Sequence, residues 1–439
     1  MEVCPFDRVQ DVLGYSNQAR YIYKYAKDIN ANTVVIEDHY IDKDYLIDYS
    51  KFYARSFDTP PTVTKRLHFF SENFSTENFR EMLVNCDKEQ LNALKESYLG
   101  FVVVKPIRDT NENPLIGRTL LKPYHSDIEQ EYRCFLSKRY PVSLYGIPLN
   151  INSLAFQVQD IAVGACATAA LWTSLHPSRD LFGIPSHSPA EITEISVSFP
   201  SDSRNFPSRG LTLLQMINYI HSLEMETEII DVQLMARDNP KINDCIVPDA
   251  VKSYIKVHLP LIAMLKLKNN KNVDAYHAAV ISGYRYDQNG DVKELYVHDD
   301  QIGPYSRVKP DGNFIHWKNE WTGEYGCALA LVEKLIIPVY PKIRLTFDRI
   351  YKVYSKLKQG IPSEGFNTEL YLTQMKEYKR FLIEKHIEEK EKILTDHLPR
   401  FLWYIHYNST LSTHQLYINT NHTSKVCTST LPYTELISM

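Results

Sequence analysis

The sequence predicts an α+β protein built from more than one region. Three observations carry that expectation. Runs rich in β-branched and aromatic residues, set between polar turn-like stretches, recur along the chain and read as strands. Separate stretches carry helical spacing, one of them opened by a capping box at Thr212 and Gln215. At 439 residues and roughly 150 residues per domain, one hydrophobic core is not expected to serve the whole chain.

Residues 1–145 read as a mixed α/β N-terminal region, a scaffold or recognition domain. Its strand signals are residues 33–37 (Thr-Val-Val-Ile-Glu), 66–70 (Arg-Leu-His-Phe-Phe), 98–106 and 116–121, with one or two helices over 76–97. No chemical motif stands out there. Residues 146–340 form the second region. Within it, 161–172 is the longest apolar run, about 12 residues, and reads as a buried helix rather than the 18 or so residues a membrane span needs. A Ser/Pro-rich stretch, 184–209, carries Pro185, Pro189, Pro200 and Pro207 and reads as a long irregular loop bordering the site, a lid. After Thr212, the residues Leu213, Met216, Ile217, Ile220 and Leu223 share one helical face. Strands follow at 259–267, 276–284 and 294–300. Asn289-Gly290 is a turn signal that makes the last two an antiparallel hairpin, and the Lys-rich 266–272 reads as a loop joining the first two. Residues 341–439 form a C-terminal extension. A charged helix is expected over 368–394, with Leu372, Met375, Tyr378, Leu382 and His386 on one side, and a strand over 398–407.

Composition narrows the function classes. Hydrophobic residues make up 44% and charged residues 23%, which excludes global disorder. A net charge of −4 and a pI near 6.4 show no basic excess, so no nucleic-acid partner is expected. Glycine is scarce at 15 residues, which disfavours a Gly-rich nucleotide loop. The N-terminal residues show no basic segment followed by an apolar one, so no signal peptide and no membrane association are expected. The seven cysteines (4, 86, 134, 166, 245, 327 and 427) are scattered and form no CxxC pair. That pattern fits a reducing cytoplasm and leaves the sequons at Asn73, Asn408 and Asn421 without meaning. His176 and His187 lie near the central helix without a ligand-spaced partner, so no metal and no cofactor are expected.

The stretch 157–172 (Gln-Val-Gln-Asp-Ile-Ala-Val-Gly-Ala-Cys-Ala-Thr-Ala-Ala-Leu-Trp) is the most informative. Gly164 permits a tight turn. Cys166 then opens a helix whose small residues allow close packing on a sheet. A thiol at a helix N-terminus meets the positive end of the helix dipole, which favours thiolate, and a nearby imidazolium favours it further. His277 heads an apolar strand and needs partners for two ring nitrogens. Asp299 ends the next strand and can approach His277 across the hairpin to orient it. Gln159, or Gln157, just upstream of the thiol can donate to a developing oxyanion beside the Cys166 backbone N–H. Each feature also has a bland reading: an inert buried thiol, a satisfied core histidine, a strand-ending turn and a loop glutamine.

The order Gln, Cys helix, His strand, Asp strand resembles the papain-like cysteine peptidase superfamily, most closely its bacteriocin-processing (double-glycine) peptidase-like branch. The likeness covers roughly residues 150–310. In that branch a strand like 259–265 precedes one like 277–284, and the next ends in Asp-Pro-x-x-Gly. Here it reads Asp299-Asp300-Gln-Ile-Gly303. The resemblance implies a papain-like core, with the Cys helix packed on an antiparallel sheet carrying His and Asp. It implies a thiol-dependent hydrolase acting on a peptide or protein, with Cys166 as nucleophile, His277 as general base, Asp299 as orienting acid and Gln159 as oxyanion donor. The chain departs from the pattern at three points. Asp300 stands at the usual Pro, Gln159 precedes Cys166 by seven residues rather than six, and Ala167 stands where Gly is common. Asp299 or Asp300, and Gln159 or Gln157, therefore both remain open at this level. Acyl transfer at the same site, or a catalytically silent binding protein, are the alternatives. A protein partner could engage the N- or C-terminal region.

Overall fold

The computed structural model describes all residues except 58, 86, 126, 129–130, 161, 200–209, 239, 241–244, 270–273, 319–326, 361–365, 385–389, 410–412, 420–425 and 430–439. The fold is α+β, and each sheet is antiparallel throughout. The first sheet has the order β1-β2-β3-β4-β5, from β1 (Glu2–Pro5), β2 (Thr33–Tyr40), β3 (Thr64–Phe70), β4 (Tyr98–Arg108) and β5 (Pro114–Leu121). One face takes the helix Asn17–Asp28. Ser16 caps this helix by accepting from the Ala19 N–H, and Ala19, Ile22, Tyr25 and Ala26 are its buried stripe. On the way to the second sheet come β6 (Asp127–Ile128), β7 (Glu131–Phe135) and the hairpin β8 (Lys138–Leu144) and β9 (Ile147–Ser153). Tyr145 and Gly146, at φ 48° and 91°, make the hairpin's two-residue turn. Positive φ at both positions matches the right-handed twist of the flanking strands.

The second sheet carries the site. Its strands are β10 (Glu226–Asp231), β11 (Leu261–Asn269), β12 (Asp274–Asp287), β13 (Val292–Asp299), β14 (Gly303–Asp311), β15 (Asn313–Lys318) and β16 (Cys327–Val339). The path β12-β13-β14-β15-β16 closes because β11 pairs with both β16 and β12, giving a six-stranded antiparallel barrel. β10 extends it beyond β16. The long β12 pairs with β11 along its first half and with β7 along its second, so chain from before residue 146 also joins this sheet. Gly283 allows that junction, since a Cβ there would lie 2.6 Å from the Cys134 carbonyl oxygen. The expected hairpin is present as β12 and β13, with Gly290 at φ 81° in its turn.

The helix Cys166–Phe182 packs on the barrel through buried Ala167, Ala170, Leu171 and Trp172. The C-terminal strands β17 (Phe366–Gln374), β18 (Phe401–Ser409), β19 (Thr413–Asn419) and β20 (Val426–Ser429) form a third sheet in that order. It is tied to the barrel region by the Ser253 hydroxyl donating to the Leu370 carbonyl and by Trp403 Nε1 donating to the Leu345 carbonyl. One hydrophobic cluster runs from Val35 in the first sheet to Ile405 in the third.

Several expectations need correction. The stretch 184–209 is not irregular throughout, for it contains the helix Pro189–Val197. Ser188 and Glu191 form its capping box, and Pro189 sits in the first turn, where its missing N–H costs nothing. The rest of the expected lid, 200–209, lies outside the described residues. The expected helix over 368–394 is a strand, β17, up to Gln374, with helices only at Met375–Ile383 and Lys390–Thr395. Leu370 and Leu372 alternate into the core as strand residues and pair with Ile405 and Trp403, so the spacing from Leu372 to Met375 was not helical. His386 lies outside the described residues. β11 continues through Lys266 to Asn269, so the first part of the expected loop is strand, and 270–272 lie outside the described residues. Among the described residues, no helix is long and apolar enough to cross a membrane, and Cys4, Cys134 and Cys166 are free thiols.

Candidate functional site

The segment leading to Cys166 is held from both sides. The Thr119 and Phe156 main chains exchange hydrogen bonds of 2.7 and 3.0 Å, laying the segment along β5. His298 on β13 fixes its start. Its Nδ1 accepts from the Tyr305 N–H at 3.2 Å, so Nε2 carries the proton and donates to the Leu154 carbonyl at 3.0 Å. Burial holds His298 neutral, with its pKa down at about 4.

Asp160 shapes the turn before the helix. Its carbonyl accepts from the Val163 and Gly164 N–H groups, and its carboxylate accepts from the Ala162 N–H. The Tyr53 hydroxyl donates to both Asp160 oxygens, at 2.7 and 2.6 Å. Burial and the Asp160 charge raise the Tyr53 phenol far above its ordinary value, which keeps it a donor. Gly164 serves close approach, since a Cβ there would lie 3.0 Å from the Thr168 side chain. Thr168 cannot easily yield, because its hydroxyl accepts from the Ala165 N–H and lies 3.2 Å from the Thr193 hydroxyl.

Cys166 is the first residue of its helix, behind Ala165, whose methyl side chain offers no acceptor to the first-turn N–H groups. The thiol is half-buried. His277 sits on β12 opposite Leu265 of β11, and Asp299 ends β13 opposite Gly303. The His277 Nε2 lies 3.0 Å from Asp299 Oδ1 and 3.7 Å from Asp300 Oδ1. The Cys166 side chain lies near enough to His277 to help the ring hold its proton. Burial alone would strip the imidazole of its proton. The Asp299 charge and hydrogen bond, the Cys166 side chain and the Asp300 charge outweigh it, and the ring holds its proton well above the usual imidazole range. The three side chains thus come together from elements far apart in sequence. Asp299 Oδ1 also accepts from the Gln301 N–H at 3.0 Å, which sets its direction.

The two glutamines differ. Gln157 is buried, and its Nε2 has no hydrogen-bond partner among the described residues, whereas Gln159 is half-buried. Both line a small cleft with Lys105, Asp160, Gly164, Ala165 and Pro189. Sequence reading missed the supporting groups: Tyr53, Lys105 and Asp48 from the N-terminal region, and His298. Lys105 Nζ lies 3.8 Å from Asp48, and Asp48 in turn accepts from the Ala190 N–H at the start of the helix Pro189–Val197. None of these carries a motif, and only the tertiary contacts reveal them.

Among the described residues, one set of side chains brings metal-ligating atoms together: His277, Asp299 and Asp300, within 4.8 Å of one another. The hydrogen bond between His277 Nε2 and Asp299 already occupies that space, and an ion would have to displace it. His176 is enclosed by Trp172 and Tyr140, and His187 pairs with the Tyr219 hydroxyl at 3.0 Å. No protein-family model matches the chain, and no curated protein matches its sequence.

Proposed function

We propose that the chain is a thiol-dependent hydrolase of papain-like construction, acting on a peptide or other amide. The observation that carries this reading is the contact chain Cys166–His277–Asp299, with the thiol at a helix N-terminus and the imidazole kept protonated between thiol and carboxylate. An imidazole has two nitrogens; with Nε2 turned to Asp299, Nδ1 is the one left for the sulfur. The Cys166 thiolate attacks the carbonyl carbon. The oxyanion takes hydrogen bonds from the Cys166 N–H and a glutamine amide. Gln159 is the donor suggested by sequence order, but the buried, unpartnered Nε2 of Gln157 favours Gln157. His277 gives its proton to the leaving amine, leaving a thioester. It then takes a proton from water, whose attack releases the acid and restores the thiol.

The test is adduct mapping by mass spectrometry after brief treatment with iodoacetamide at pH 6, in the wild type and His277→Ala. The expected result is selective alkylation of Cys166 over the other six cysteines, slowed about tenfold or more by His277→Ala. Even labelling of all accessible thiols, unchanged by the substitution, would overturn the reading and leave a silent binding protein in its place.

A further inference from the structure

Asp300 is a buried group that the Cys166–His277–Asp299 relay does not use. Its side chain is 3% exposed, and its Oδ1, 3.7 Å from His277 Nε2, has no hydrogen-bond partner among the described residues. Its Oδ2 accepts from the Gln301 amide at 3.0 Å, and its main-chain oxygen accepts from Gln18 on the helix Asn17–Asp28 at 3.2 Å. A buried carboxylate oxygen with no donor is costly unless a cation faces it. The charged groups bearing on Asp300 are His277 and Asp299, one on each neighbouring strand end, and Gln18 and Gln301 add only uncharged amides. Among the described residues, His277 is the cation that bears most on it.

We infer that Asp300 is a positioning residue, a second carboxylate on His277. Asp299 holds the ring by a hydrogen bond, and Asp300 sustains the ring's charge. The inference rests on the thiol-hydrolase reading for its catalytic meaning. Two carboxylates around one Nε2 keep the imidazolium to higher pH than one would. Burial drives the Asp300 carboxyl up, His277 pulls it down and Asp299 adds to the rise, leaving it at about 6. Above that pH Asp300 is ionised and supports the imidazolium. Below it Asp300 takes up a proton and that support is lost, while the Asp299 charge still bears on the ring.

Imidazole titration by NMR tests this, in Cys166→Ala and in Cys166→Ala with Asp300→Asn, where no thiol titrates alongside the ring. The second variant is expected to lower the His277 pKa by about one pH unit or more. A value within about 0.3 of the parent's would overturn the inference. His68 and His298, buried and neutral down to about pH 4, serve as internal reporters that both variants are folded. Selective alkylation of Cys166 at pH 6 is read in parallel, in the wild type. If Cys166 is not selectively alkylated, the hydrolase reading falls while the His277 titration still decides the part Asp300 plays.

Discussion

At His277 two opposing effects decide the chemistry. Burial strips charge from an imidazole, and the Asp299 carboxylate at 3.0 Å restores it. His298, one residue before Asp299, shows the same burial with only main-chain partners, and it is driven down to about 4. The two rings therefore differ by their partners rather than by their depth. The oxyanion donor can be assigned by the same kind of comparison. On an amide substrate, Gln157→Ala is expected to lower kcat/KM about 100-fold, mostly in kcat, and Gln159→Ala by less than about threefold. The reverse ranking would return the role to Gln159.

Among the secondary-structure elements, the helix Lys43–Lys51 and the short turn after it act as a brace for the site. Asp44 accepts from Trp172 Nε1 on the Cys166 helix, Asp48 accepts from the Ala190 N–H, and Tyr53 holds Asp160. Asp44 and Asp48 are four residues apart and so lie on one helical face. The N-terminal region thereby grips both the Cys166 helix and the loop before it. Tyr53→Phe removes the hydroxyl that donates to both Asp160 oxygens and leaves that buried carboxylate with only a main-chain donor. A loss of about 1–3 kcal/mol in urea unfolding is expected, with a lower kcat as the Gln157–Gly164 loop loosens. Unchanged stability and kcat would show that the brace has no energetic weight.

The barrel, the first sheet and the C-terminal sheet share one hydrophobic cluster, and charged groups caught in their seams make stability depend on pH. Glu228 on β10 is one. It is buried, its Oε1 accepts from the Phe347 N–H at 2.9 Å, and burial with Asp348 nearby pushes its carboxyl up to about 7. Its folded pKa lies above its unfolded value, so the folded state binds this proton more tightly. Glu228 is neutral and costs nothing below about pH 5. It ionises in place as pH rises through about 7, and stability falls. Glu228→Gln keeps an acceptor for Phe347 without the charge. It is expected to stabilise the protein by about 2 kcal/mol at pH 8.5 and to change little at pH 5. An equal effect at both pH values in urea unfolding would remove Glu228 as the cause.

Local patterning made much of this protein legible in advance. The strands at 33–37, 66–70, 98–106 and 116–121, the Thr212-capped helix, the helix opened by Cys166 and the hairpin around Asn289-Gly290 were all readable, because period, capping residues and turn residues act within a few positions. Cys166 opening its helix and Asp299 closing β13 were readable in the same way, whereas His277, expected to head its strand, lies three residues inside β12. Burial and pairing are not local. Whether Leu372 belongs to a helix or a strand depends on Trp403 across the sheet, and a proline at 189 begins a helix only because Ser188 and Glu191 close its first turn. Closure of the barrel by β11, the grip of Tyr53 on Asp160, the solitary amide of Gln157 and the second carboxylate beside His277 exist only once distant segments meet. Their energies come from desolvation and from partners that no spacing along the chain encodes.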